Sequence, residues 1–127
     1  MRRVDSLEVA AREFGSQSPA PVGWSALASD LQGSIGKATV LSGEVIEVRR
    51  QSHQTIVLLA VSARSGCSDG GKKGGSSCHV RLVQGADNPL QRGDLITAYG
   101  RVLRAFNVAG KPDIAEVQVD FTLKGLR

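Results

Sequence analysis

Hydrophobic and polar positions change rhythm once along this chain. Over residues 1–14, Val4, Leu7, Ala10, Ala11 and Phe14 recur at helical spacing with charges between them, which predicts a short amphipathic helix. The GSQSPAPVG stretch that follows is a Pro/Gly/Ser linker. WSALASDLQGS then fits one or two further helical turns, with Ser25 as cap and Gly33 as stop. From Thr39 the period shortens. TVLSGEVIEVRR is rich in β-branched residues and carries Gly43 where a bulge or sharp bend would sit. QTIVLLAVSAR is a second strand, apolar on both faces at its centre. SCHVRLV alternates, with Cys78, Val80 and Leu82 on one side and His79 and Arg81 on the other. GDLITAYGRVLRAF is a long strand with Gly100 in its middle. In IAEVQVDFTLKG, Val117, Val119, Phe121 and Leu123 are expected to face one way, and Glu116, Gln118, Asp120 and Thr122 the other.

The pattern therefore divides the chain into a helical leader and linker, residues 1–37, and a five-stranded body, residues 38–127. No internal repeat and no βαβ rhythm is visible, which argues against a parallel sheet. Five strands are too few for a good two-sheet sandwich, but they can close a small barrel. Closure needs strongly bent strands, and the mid-strand glycines Gly43 and Gly100 permit the bend. The fold class expected is all-β: a five-stranded barrel preceded by a short helical leader. At 127 residues it fits one domain with a modest core.

Composition adds a direction. The net charge is +4 and the sequence pI about 9.5, which favours an anionic partner. Aromatic residues are only 4%, so a function built on base stacking has few platforms. No apolar run is long enough to insert in a membrane. The first fifteen residues lack a signal-peptide core, because Asp5, Glu8, Arg12 and Glu13 interrupt it. A cytoplasmic location is the expectation, and a periplasmic one the alternative if a signal had been trimmed.

A glycine-bent first strand, a meander of three, and a fourth strand entered by QRGDLITAYGRV together resemble an OB-fold. The Gly-Asp-apolar-x-apolar-x-Gly entry at Gly93–Gly100 is similar to that of single-stranded-DNA-binding and PriB-like proteins. The resemblance covers about residues 38–124. Between strands three and four, QGADNPLQRGD holds Pro89 and two glycines, so a turn replaces the helix of other OB-folds.

The resemblance implies a binding groove on the outer surface of strands two and three, bordered by the loops after strands one and four. Arg49, Arg50, Arg81, Arg101, Arg104 and Lys111 would meet phosphates there, and Phe106, with Trp24 from the leader, would stack under bases. Lys72 and Lys73 sit at the tip of the Gly/Ser-rich hairpin loop, which resembles the basic loop that OB-fold DNA binders extend over a strand. That loop is no P-loop, since GGKKGGSS lacks the spacing and the following helix.

Cys67 and Cys78 bracket the same loop. If strands two and three are hairpin partners, the two face each other at its base and can bridge; two reduced thiols are the alternative. A zinc site from Cys67, Cys78, His79 and His53 has no paired C-x-x-C spacing behind it, so no metal is expected. The two histidines belong to no readable triad, so neither an enzyme nor a cofactor is expected. The acidic outer face of the last strand, with Glu116, Gln118 and Asp120, is expected to repel a phosphate backbone.

The resulting expectation is a non-enzymatic domain binding single-stranded nucleic acid with little sequence preference. The alternative is a protein-interaction module of an exported, disulfide-bonded envelope or secretion-type assembly. A homodimer through strand one or the leader is a further expectation.

Overall fold

In the computed structural model, which describes residues 3–17, 20–62, 78–85, 90–107 and 114–126, three helices precede five strands. Helix α1 spans Arg3–Gly15, α2 Trp24–Ser29 and α3 Leu31–Ser34. The strands are β1 Ala38–Arg50, β2 Gln54–Val61, β3 His79–Gly85, β4 Leu95–Phe106 and β5 Ile114–Lys124. They close in the order β1-β2-β3-β5-β4. All neighbouring pairs are antiparallel except β3 and β5. The all-β five-stranded barrel expected from the pattern, behind a helical leader, is the architecture observed.

Closure depends on β1 serving two neighbours. Ala38–Glu44 pairs with β4, and Gly43–Arg50 pairs with β2. At the handover, Gly43 faces both Val61 and Ile96, and a Cβ there would fall on the Ala60 carbonyl. A Cβ at Gly100 would likewise fall on the Gln118 carbonyl. Both glycines are required by close backbone approach inside the bend.

The barrel is filled by alternate residues of every strand. Leu41, Val45, Val57, Leu59, Val80, Leu82, Ile96, Val102 and Val117 form one apolar cluster. Cys78, Val80 and Leu82 lie in it, as the alternation of β3 predicts. Leu27 of α2 joins the same cluster, with Trp24 and Leu31 packed against it. The leader is stitched on by Val22, whose N–H donates to Ala38 and whose carbonyl accepts from the Thr39 hydroxyl. At the opposite end, Leu90 from the β3–β4 connection is buried in the cluster.

Two expectations are corrected. The helical break in the leader belongs to Asp30, whose carboxylate accepts from the Gly33 N–H at 2.9 Å and caps α3. Ser25 therefore lies within α2, Gly33 lies within α3, and Gly36, at φ +88°, supplies the turn into β1. The faces of β5 also switch. Val119 lies opposite Gly100 but Phe121 lies opposite Tyr99, so Asp120 is an extra residue on the β5 side. This bulge leaves Val117 and Val119 on the core and turns Phe121 outward. Phe121 stacks on Tyr99 at 4.5 Å between centroids, and Phe14 of α1 meets both edge-on. The first helix thus docks through its last turn on the outside of β4 and β5.

Candidate nucleic-acid interface

Cross-strand register brings chemistry together that sequence distance separates. Leu58 of β2 lies opposite Arg81 of β3, Arg81 lies beside Glu116 of β5, and Glu116 lies opposite Arg104 of β4. One outer row of the barrel therefore reads apolar, cation, anion, cation. The Glu116 side chain is 2% exposed, while those of Arg81 and Arg104 are 26% and 63% exposed. Arg81 Nε donates to Glu116 Oε2 at 2.6 Å, and Arg104 Nε donates to Glu116 Oε1. The Arg81 guanidinium carbon lies 4.0 Å from the centroid of the Phe106 ring.

This geometry overturns the reading of Glu116 as an exposed, repelling charge. Burial on its own pushes the Glu116 carboxyl up. The hydrogen bonds from Arg104 and Arg81, with their charges, outweigh it and hold the group below the ordinary carboxylate range. Two guanidiniums against one carboxylate leave the cluster with net positive charge. Each arginine is tethered through Nε, and Arg104 is the more exposed of the two.

Other expected residues are placed elsewhere. Arg49 is exposed on β1, two strands from Arg81, and its Nε donates to Glu47 at 2.9 Å. Arg50 donates from Nη2 to the Leu90 carbonyl at 2.9 Å, which fastens the β3–β4 connection. Arg101 pairs in register with Gln118 and borders a shallow groove of about 360 Å³ with Ile35, Leu103 and Asp120. Three of the expected contacts, Arg81, Arg104 and Phe106, form one cluster; Arg49, Arg50 and Arg101 stand apart from it. Lys72, Lys73, Lys111 and Cys67 lie outside the described residues.

Cys78 is buried, and its sulfur is held in a disulfide. The chain contains one other cysteine, Cys67. Among the described residues, no three His, Cys, Asp or Glu side chains group as a metal site. Among them, too, no helix is long and apolar enough to cross a membrane.

A second cavity of about 310 Å³ lies where α2 and α3 lean on the starts of β3 and β5. Trp24, Leu31, His79 and Ile114 are among its walls.

No protein-family model matches this chain, and no curated protein matches its sequence. Similarity appears among solved structures. An OBody bound to hen egg-white lysozyme gives a TM-score of 0.56 at 18% identity, over 87% of this chain and 99% of the other. An aspartyl-tRNA synthetase from Leishmania major Friedlin gives 0.55 at 10% identity, over 94% of this chain and 26% of the synthetase chain. A Replication Protein A heterotrimer bound to ssDNA gives 0.46 at 11% identity, over 73% and 60%. At such identities the likeness to the OBody and the synthetase concerns the fold, and it agrees with the strand order: the barrel is OB-like.

Proposed function

We propose that this chain is a non-enzymatic OB-like domain that binds single-stranded nucleic acid with little sequence preference, in the manner of single-stranded-DNA-binding and PriB-like proteins. The observation that carries the reading is the cluster around Glu116. A buried carboxylate holds two guanidiniums, one at each oxygen, and one of them lies over an aromatic ring. Guanidiniums neutralise phosphates and release their counterions, while arginine and phenylalanine faces accept any base. Lys72 and Lys73 lie in the segment leading into β3, and Lys111 in the one leading into β5, the strands that carry Arg81 and Glu116. They would extend the positive surface along the bound strand.

The test is fluorescence anisotropy of a labelled single-stranded oligonucleotide across a salt series. Binding at low salt should weaken with a log–log slope of about −0.7 for each phosphate contacted. An oligonucleotide that does not bind at low salt removes the proposal.

A second reading is a protein-interaction module of an exported assembly. The disulfide at Cys78 favours it, because disulfides persist in oxidising compartments. Thiol titration of the natively purified, then unfolded, protein separates the two. No reactive thiol supports export, and two reactive thiols support a reducing compartment.

A further inference from the structure

The cavity between the leader and the barrel adjoins the cluster just described. His79 and Arg81 are alternate residues on the outer face of β3, roughly 7 Å apart. Ile114 and Glu116 are alternate residues on the outer face of β5, and Ile114 lies opposite Phe106. His79 and Ile114 line the cavity; Arg81, Glu116 and Phe106 build the cluster. The two features are thus neighbouring steps along the same two strands.

Its walls have unequal character. Trp24 and Leu31, both packed against the core, supply apolar surface. Asp30, Gln32 and His79 supply hydrogen-bonding groups. At about 310 Å³ the space is at the lower end of small-ligand pockets, which suits one flat ring system with polar edges. Asp30 disfavours a phosphate inside, whereas Arg81 and Arg104 favour one just outside. The polarity therefore runs from base to phosphate, inward to outward.

We infer that this cavity is a nucleobase subsite: it takes one unstacked base of the bound strand against Trp24 while the adjoining phosphate rests on Arg81 and Arg104. The inference rests on the nucleic-acid reading and extends it, because it gives the leader a direct part in recognition. The barrel supplies the phosphate contacts, and α2 and α3 supply the wall that makes a base pocket of an open face.

Trp24 is the single tryptophan of the chain, so its emission reports on this pocket directly. The experiment follows Trp24 fluorescence and the anisotropy of a labelled oligonucleotide together, then repeats both with nucleoside monophosphates and with Ala28→Phe. Ala28 is exposed and lines the cavity, so the larger side chain fills the space with little effect on the core. Trp24 quenching that saturates with the anisotropy is the expected result. In Ala28→Phe, quenching should vanish and affinity should fall about tenfold, the scale of one lost base stack. Oligonucleotide binding with unchanged Trp24 emission, or quenching that persists in Ala28→Phe, overturns the subsite and leaves the proposal for the outer face standing. Quenching by a nucleoside monophosphate without oligonucleotide binding keeps the subsite and removes strand binding. No response in either signal overturns both.

Discussion

Replacing Glu116 with glutamine tests the cluster at its centre. The substitution keeps the shape and removes the charge that holds Arg81 and Arg104. Breaking a fully buried ion pair costs roughly 3–5 kcal/mol, whereas an exposed pair is worth about 0–1 kcal/mol. The present case lies between these limits. Glu116 is 2% exposed, but the two arginine side chains retain 26% and 63% exposure and can regain water. The glutamine also turns an NH2 donor toward one of two donors, which costs a buried hydrogen bond. A loss of about 1.5–3 kcal/mol follows, or a fall in Tm of roughly 5–10 °C.

The pH dependence gives the sharper test. The folded-state pKa of Glu116 is depressed, so its contribution is fully present above the unfolded carboxylate value of about 4.3. It fades as pH falls through the lower folded value. Urea denaturation of wild type and Glu116→Gln should therefore show the full deficit at neutral pH and a shrinking one in acid. A neutral-pH deficit under about 0.5 kcal/mol, the range of an ordinary surface change, would refute the reasoning. So would a deficit that does not change with pH.

Three further outcomes follow from other contacts. Arg104→Ala should weaken oligonucleotide binding and reduce the steepness of the salt dependence by about 0.7, measured by anisotropy, because one phosphate contact is lost. Gly100→Ala should destabilise the barrel by roughly 1–3 kcal/mol in chemical denaturation, since the new methyl group meets the Gln118 carbonyl across the β4–β5 pairing. Phe14→Ala removes the edge contacts to Tyr99 and Phe121; α1 should become protease-sensitive at a stability loss of about 1–2 kcal/mol, with the barrel still folded.

Much of the architecture was legible along the chain, because strand alternation and mid-strand glycines are local signals. Apolar alternation put Val80 and Leu82 inside the barrel, and Gly43 and Gly100 marked where strands bend and nearly touch. The same rule failed on β5. A bulge adds one residue to one strand only in relation to its partner, so nothing in IAEVQVDFTLKG itself marks Asp120 as the extra one. Phe121 consequently read as a core residue, whereas it forms the landing place for Phe14.

The candidate site divides in the same way. Residue types and charge pointed to an anionic partner, and Arg81, Arg104 and Phe106 were already among the residues expected to meet it. Glu116 read as an obstacle, because polar and acidic residues alternating with apolar ones, as Glu116, Gln118 and Asp120 do, carry the signature of a solvated face. Only the parallel pairing of β3 with β5 and the antiparallel pairing of β5 with β4 set that carboxylate between two guanidiniums separated from each other by 23 positions of chain. The packing of Trp24 against the barrel core was hidden for a related reason: the leader's helices show their own periodicity, but not which mouth of the barrel they cover. Alternation, turn residues and net charge are properties of neighbours in sequence, and they determined the strands, the bends and the sign of the surface. Register, bulge position and helix docking depend on which segments touch, and they alone decided where the positive charge gathers and what shields it.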